Sequence, residues 1–392
     1  MLKVMLYHMC VDNQRTRNSN IFLLIPIFLC AVCTLSKWTF NIYDSLSLYI
    51  ILFFTGFTMF VNRKILRSYL IFIIFLVLYL PISVFFNDGG LGSVITLISA
   101  IFMIYMYSHI TLTDRTCRFL VILSTVAIVY LFIRSFGYAL DFYYYKSYYL
   151  NPNTVGMCLI YFYMIRSIVK QPKSKLHKIE ALLLFVLVVI GVQNCSSRGS
   201  LLALLFFVVL NLVPKRIITR KKVILISIII ISLGILFPFV YLGLYRNNVQ
   251  FELLGKSIYT GRETIWNNMF ELLDQSSLNW LFGIGSDEVL MSGKELNVHN
   301  DYFSVIVNFG LIGLISYYGF VLAIIVKVSK YVQNSRFVKV SIIAFITSVL
   351  LLGFFEVTTL WSAMYPLSLF SIGTLYGRCV VHGNGLERNK EE

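Results

Sequence analysis

The sequence predicts an all-α, polytopic membrane protein with about twelve transmembrane helices and one large loop outside the membrane. Of its 392 residues, 58% are hydrophobic and only 13% are charged, whereas an ordinary soluble domain has about 25% charged residues. Apolar runs of about 20 residues recur along the chain, and each can cross a ~30 Å hydrocarbon layer as a helix. The segments between these runs are alternately rich and poor in lysine and arginine, as expected for a multi-pass protein.

Helical spans are predicted wherever an apolar run is long enough to cross the membrane. They lie at residues 21–36, 42–61, 68–86, 91–110, 117–136, 153–169, 179–195, 199–213, 223–244, 301–326, 338–355 and 360–377. The spans at 153–169 and 199–213 are short and begin with polar residues.

The distribution of lysine and arginine predicts the orientation. With the N-terminus in the cytoplasm, 25 of the 33 basic residues fall in inner segments or at inner helix ends, in agreement with the positive-inside rule. The other eight are outside: Lys37, Arg134, Lys146, Arg198, Arg246, Lys256, Arg262 and Lys294. Both termini are therefore expected in the cytoplasm. The net charge of +15 is explained as a topology signal, and no nucleic-acid partner is expected.

Several kinds of chemistry have no support in the sequence. The inner loops are short, and no G-x-x-x-x-G-K-[ST] phosphate loop and no D-x-D pair occurs, which argues against ATP coupling and against a metal-bound nucleotide-sugar. Cys30 and Cys33 form a CxxC without a second ligand pair. We therefore expect neither a metal nor a cofactor.

The outer loop at residues 245–300 is the longest segment between predicted spans. Thr260 and Glu263 have the spacing of a capping box, and apolar residues follow at helical intervals. The pattern predicts an amphipathic helix over 261–275, lying on the membrane surface, and a turn at 282–285. A long loop in a compact protein is usually functional.

Two arginines at predicted helix starts are candidates for anion binding. Arg198 follows Ser196 and Ser197, which can cap a helix, and a helix N-terminus attracts anions. The alternative for Arg198 is contact with lipid headgroups. Arg262, in Gly261-Arg262, could instead pair with Glu263 or another acid nearby.

A histidine and an asparagine-rich helix start complete the candidates. Among the five histidines, only His299 is placed outside by the predicted topology, and a neutral imidazole there could accept a proton. A purely structural histidine is the alternative. Asn300 follows it, and Asn151-Pro152-Asn153 has the form of a helix start.

These motifs, in this order, resemble the bacterial O-antigen polymerase and O-antigen ligase superfamily. The resemblance covers residues 180–320: Ser197-Arg198-Gly199, Gly261-Arg262 followed by Trp266, the turn at 282–285, and His299-Asn300 leading into Phe309-Gly310. It implies an all-helical fold similar to the lipid-dependent (GT-C-like) glycosyltransferases. The whole chain, 1–392, is then one membrane domain that includes the extracytoplasmic loop 245–300.

The resemblance also implies a mechanism. Members use a sugar chain linked to undecaprenyl pyrophosphate as donor, at the outer face of the bacterial inner membrane. Arg198 and Arg262 would bind the donor's pyrophosphate, and His299 would assist the acceptor hydroxyl. Ser197, Asn300 and Asn153 would support them. Displacement from the far side of the sugar ring would invert the anomeric configuration without a metal.

The function predicted from the sequence is polymerisation of lipid-linked oligosaccharide repeats into a surface polysaccharide, such as O-antigen, capsule or exopolysaccharide. One alternative is a ligase that transfers finished polymer to a lipid A core or another acceptor. Another is a flippase or transporter, although transporters place polar groups near the midplane of their spans. Expected partners are membrane lipid and the lipid-linked oligosaccharide, with a chain-length regulator and a flippase as compatible protein partners.

Overall fold

The computed structural model describes most of the chain. The described residues are 23–62, 90–139, 150–170, 174–247, 249, 252–253, 256–257, 262–285, 288–291, 294–356, 358 and 361–381. The third predicted span (68–86), Thr260 and Gly261, and the outer residues 140–149 lie outside them.

Fourteen helices are assigned in the described residues. They are α1 (Leu23–Cys33), α2 (Lys37–Asn62), α3 (Gly90–Ser108), α4 (Asp114–Ala139), α5 (Pro152–Val169), α6 (Lys175–Asn194), α7 (Arg198–Leu212), α8 (Arg220–Arg246), α9 (Arg262–Asp274), α10 (Ser277–Phe282), α11 (Asp301–Val328), α12 (Arg336–Phe345), α13 (Tyr365–Ser368) and α14 (Phe370–Tyr376).

The helices support a multi-pass membrane protein. Six helices in the described part of the chain are long and apolar enough to cross a bilayer: α2, α4, α6, α8, α11 and the rod that α12 begins. Leu23–Cys33, Val94–Ser108 and Arg198–Leu212 are shorter apolar helices. The count of twelve spans stays a prediction.

Two small β-hairpins interrupt the helical fold between α8 and α11. β1 (Glu252–Leu253) pairs antiparallel with β2 (Lys256–Ser257). β3 (Glu288–Met291) pairs antiparallel with β4 (Lys294–Asn297), which ends two residues before His299. The sequence analysis did not predict them, because four-residue strands are too short to show a clear alternation.

Helix α5 lies at the centre of the bundle. Most of its side chains are buried, from Thr154 to Ile168. The helix begins as the sequence predicts, because the Asn151 side chain accepts a hydrogen bond from the Asn153 amide at 2.9 Å and Pro152 occupies the first turn. Its first turn therefore has a fixed position at one end of the bundle.

Polar contacts engage several of the basic residues of the bundle. Arg134 donates to the Leu35 carbonyl at 3.0 Å. The Arg166 guanidinium pairs with Glu180, and Lys339 donates to the Asn211 carbonyl at 2.8 Å. The orientation of the helices across the membrane stays a prediction.

Helix α11 is broken at Gly310, where the backbone has φ +63°. The break fits against the end of α10, because a Cβ added at Gly310 would collide with the Leu281 carbonyl. Gly283 lies equally close to the Asn308 carbonyl and has φ +82°. The Ile284 amide donates to the Val307 carbonyl at 2.6 Å. The close contacts at the two glycines thus fix the first half of α11, which follows His299.

The rod that begins with α12 changes its winding before it ends. One π-helical turn (Ile346–Leu351) and one 3-10 turn (Leu352–Phe354) follow the α-helical part. The Tyr302 hydroxyl donates to the Leu350 carbonyl at 2.8 Å, so a neighbouring helix satisfies a carbonyl in the irregular section. Such π-turns often occur at functional sites, and this one leads directly to Glu356.

We predict that Gly310→Ala destabilises the protein by roughly 2–4 kcal/mol, because the left-handed conformation and the collision both add cost. Gly319→Ala is the matched control in the same helix, since its added Cβ meets nothing within 4 Å. Thermal unfolding in detergent, followed by size-exclusion chromatography, measures both. Equal melting temperatures for the two variants would contradict the proposed close fit.

Candidate active site

Four helices begin around one short segment of the chain. Helices α5, α7, α9 and α11 start at Pro152, Arg198, Arg262 and Asp301. A helix N-terminus carries about half a positive charge and several unpaired amide groups. Four such termini at one place favour the binding of an anion.

The segment on which they converge is Phe354–Glu356, which we call the junction segment. The Asn300 amide donates to the Phe354 carbonyl at 3.1 Å, and Arg262 Nη2 donates to the Phe355 carbonyl at 3.0 Å. A Cβ added at Gly199 would collide with the Phe355 ring. The first turns of α7, α9 and α11 are therefore all in contact with the junction segment.

Glu356 connects the junction segment to α5, the fourth of these helices, and to His299. Its Oε1 accepts a hydrogen bond from Asn153 Nδ2 at 2.6 Å. Its Oε2 lies 2.9 Å from His299 Nδ1. The Arg262 guanidinium is 3.9 Å from Oε1, which is an ion-pair distance but too long for a hydrogen bond. Only 12% of the Glu356 side chain is exposed.

The His299–Glu356 pair fixes the proton positions on the imidazole. An ionised carboxylate is only an acceptor, so Nδ1 must carry the hydrogen in this pair. Nε2 then has a free lone pair, and it has no hydrogen-bond partner among the described residues. The ring is one-third exposed. It can therefore take a proton from a ligand while the carboxylate stabilises the resulting imidazolium.

The backbone at His299 is held in an unfavourable conformation. Its φ is +49°, in the left-handed region that non-glycine residues rarely adopt. Arg262 Nη1 donates to the His299 carbonyl at 3.2 Å, and the buried Trp266 indole donates to the Val298 carbonyl at 2.7 Å. The Asn300 side chain caps α11 by accepting from the Phe303 amide at 2.8 Å. These contacts aim the imidazole at the junction segment.

Within the described residues, the protein uses part of the hydrogen-bonding capacity of Arg262 and leaves the rest free. Two of its five N–H groups bind backbone carbonyls, and 22% of its side chain is exposed. Burial lowers its pKa while Glu356 and Tyr241 raise it, and a guanidinium remains charged throughout the physiological range. The alternative of an ion pair with a nearby acid is met at Glu356, whereas Glu263 accepts from the Tyr241 hydroxyl at 2.9 Å.

Arg198 differs from Arg262 in being exposed. Within the described ranges, it has no hydrogen-bond or ion-pair partner. The expected cap by Ser197 is wrong, because the Ser197 hydroxyl donates to Ser200 Oγ at 2.9 Å. Close packing explains this, since a Cβ added at Gly156 would lie 2.9 Å from Ser197 Cβ. Ser197 thus joins α7 to α5 and leaves the α7 amides uncapped.

Two acids at this site were missed by the sequence analysis. Glu356 was placed in a short outer turn between the last two spans and given no function. Asp301, two residues after His299, was not among the candidates either. It is fully buried and accepts hydrogen bonds from the Thr358 amide, at 2.8 Å, and from the Thr358 hydroxyl. The sequence signal that could have identified Glu356 was an acidic residue at the outer boundary of a predicted span.

The amphipathic helix predicted at 261–275 is present as α9, but its apolar face is not on the membrane surface. Trp266, Met269 and Leu273 are completely buried within the protein. Phe270 stacks on Phe303 with ring centroids 4.6 Å apart. These contacts hold α9 against α11, and the rigid α9 positions Arg262.

The fold and the site indicate a multi-pass membrane protein with a histidine–carboxylate pair beside an arginine. Residues 183–318 match the family described as O-Antigen ligase (Wzy_C), and this match supports the resemblance to the O-antigen polymerase and ligase superfamily. The match supports a ligase-type, glycosyltransferase-like activity in general terms. No curated protein and no solved structure matches the chain significantly. The matched region contains Arg198, Arg262 and His299 but not Asn153 or Glu356.

We predict that Arg262→Gln and Arg198→Gln have different effects on stability. Arg262→Gln loses two charge-assisted hydrogen bonds and leaves Glu356 without its cation, which should cost on the order of 2 kcal/mol. Arg198→Gln removes no contact within the described part of the chain and should change stability by less than about 0.5 kcal/mol. Thermal unfolding in matched detergent tests this, and a larger loss for Arg198→Gln would refute the assignment.

Proposed function

We propose that this protein joins undecaprenyl-pyrophosphate-linked oligosaccharide repeats into a surface polysaccharide at the outer face of the bacterial cytoplasmic membrane. The observation that carries the proposal is the convergence of four helix N-termini at the junction segment, where Arg262 contacts His299 and Arg198 begins α7. A pyrophosphate is the anion suited to this field, because its charge increases as the bond to the sugar breaks.

The donor's pyrophosphate binds at the exposed guanidinium of Arg198, the free N–H groups of Arg262 and the uncapped amides of α7. As the bond between the anomeric carbon and the phosphate oxygen breaks, the carbon becomes oxocarbenium-like. The leaving oxygen gains the electron pair. A preorganised donor facing that charge commonly contributes about 3–4 kcal/mol.

The acceptor is activated by His299. Nε2 takes the proton of the acceptor hydroxyl as its oxygen attacks the anomeric carbon, opposite to the leaving pyrophosphate. The configuration at that carbon inverts, and undecaprenyl pyrophosphate leaves. Glu356 stabilises the imidazolium through Nδ1 and keeps Nε2 directed at the acceptor. The protonated imidazole then returns its proton to solvent, and no metal takes part.

A ligase is the second candidate, because the matching family is described as O-Antigen ligase. A ligase would use the same donor chemistry but transfer finished polymer to a lipid A core or another acceptor. The lipid-linked material in a deletion strain separates the two. Single repeats in the outer leaflet support a polymerase, long lipid-linked chains support a ligase, and repeats confined to the inner leaflet support a flippase.

We predict that His299→Ala abolishes long polymer, because loss of a general base commonly lowers the rate by about 10²–10⁴-fold. The variant is expressed in the deletion strain, and polysaccharide length is read on a gel at matched protein level. His109→Ala is the control, because His109 lies at the end of α3 and hydrogen-bonds to the Tyr105 carbonyl at 3.0 Å. Normal polymer with His299→Ala would refute the catalytic assignment.

A second prediction concerns the His299–Glu356 pair. Glu356→Gln should lower the transfer rate by roughly 10²-fold, because a neutral amide no longer stabilises the imidazolium or selects its tautomer. In the double variant with His299→Ala, Glu356→Gln should cause little further loss, because residues that act as a unit are not additive. Initial transfer rates of the purified wild type, the two single variants and the double variant test this prediction. Fully multiplicative losses would show that Glu356 acts independently of His299.

A further inference from the structure

Helix α2 has a polar stripe that a lipid-facing helix does not need. Lys37, Asn41 and Ser45 are exposed, and Asp44 is half-buried. Their spacing of three and four residues places them on one face. A separate apolar stripe, which includes Leu46 and other exposed residues, runs along another face. Ionisable groups within membrane helices usually face a watery cavity or a ligand rather than lipid.

Asp44 is bound to the loop that carries Glu356. The Trp361 indole donates to Asp44 Oδ1 at 2.8 Å, and the Ser47 and Ser362 hydroxyls are 2.6 Å apart. The second carboxylate oxygen, Oδ2, has no hydrogen-bond partner within the part of the chain that is described. The carboxylate is therefore anchored by one oxygen and can accept a hydrogen bond with the other.

The same loop connects this stripe to the candidate active site. Trp361 is five residues after Glu356, and five residues span at most about 17 Å. Thr358, between them, is fixed by Asp301. The stripe thus lies at the same end of the bundle as His299, within the length of a short oligosaccharide.

We propose that Asp44, Trp361 and Asn41 form a subsite for the sugar repeat of the acceptor. Carboxylate and amide groups accept and donate hydrogen bonds to sugar hydroxyls, and an indole combines an apolar face with a polar edge. The negative charge of Asp44 disfavours an acidic sugar and is compatible with a neutral sugar or an amino sugar. This inference rests on the proposed function and adds the placement of the acceptor.

The test is a binding measurement that does not need turnover. The probe is the free oligosaccharide released by mild acid from the lipid-linked repeats of the deletion strain. It is titrated onto the full-length protein in nanodiscs and followed by ligand-detected NMR. Asp44→Asn keeps an acceptor for the Trp361 indole and removes only the charge. Asn41→Leu leaves the Asp44–Trp361 hydrogen bond intact.

We expect Asp44→Asn and Asn41→Leu to weaken binding about tenfold, whereas Leu46→Ala on the apolar stripe binds as the wild type does. If the stripe merely faced lipid, Asn41→Leu would not weaken oligosaccharide binding. Wild-type affinity in both polar-stripe variants overturns the subsite, and so does the absence of wild-type binding at millimolar oligosaccharide.

The His299→Ala variant separates this inference from the proposed function. Its expected result is full oligosaccharide binding with no polymer formation, because His299 acts on the reacting hydroxyl and not on the preceding sugars. If His299→Ala still makes polymer, the catalytic proposal fails, and the titrations of Asp44→Asn and Asn41→Leu still decide the subsite.

Discussion

The carboxylate of Glu356 is the point on which the geometry of the site depends. It takes a hydrogen bond from α5 through Asn153 and pairs with His299 just before α11. A buried carboxylate without partners would be strongly unfavourable, whereas here two hydrogen bonds and a nearby guanidinium compensate for its burial. The same contacts that stabilise the charge also set the distance between the helices. Removing the charge therefore affects the chemistry and the helix arrangement together.

The two arginines differ in how much of their hydrogen-bonding capacity the protein itself uses. Arg262 binds the carbonyls of His299 and Phe355, so part of its hydrogen-bonding capacity organises the protein. Glu356 also offsets part of its charge. Arg198 is exposed at the start of α7, beside Gly199, whose lack of a side chain permits contact with Phe355. Arg198 is thus uncompensated within the described part of the chain, whereas Arg262 is held in place by contacts of the protein.

Local patterns in the sequence predicted the elements but not all of their contacts. The capping box and the apolar spacing predicted α9 nearly to the residue. Ser197 was wrongly expected to cap α7, because its contact with α5 depends on the small size of Gly156. Glu356 was missed because its partners, Asn153 and His299, are 203 and 57 residues away along the chain. No periodicity or local motif records such a contact.

The irregular backbone of the site explains why so many polar side chains surround it. Where a helix ends inside a membrane protein, its carbonyls must find partners within the protein. Asn300, Arg262 and Tyr302 supply them for Phe354, Phe355 and Leu350. The residues that satisfy these carbonyls thereby hold His299 in its left-handed conformation, at a cost of about 1–3 kcal/mol. Because the same contacts meet both requirements, the histidine is already oriented before a substrate arrives.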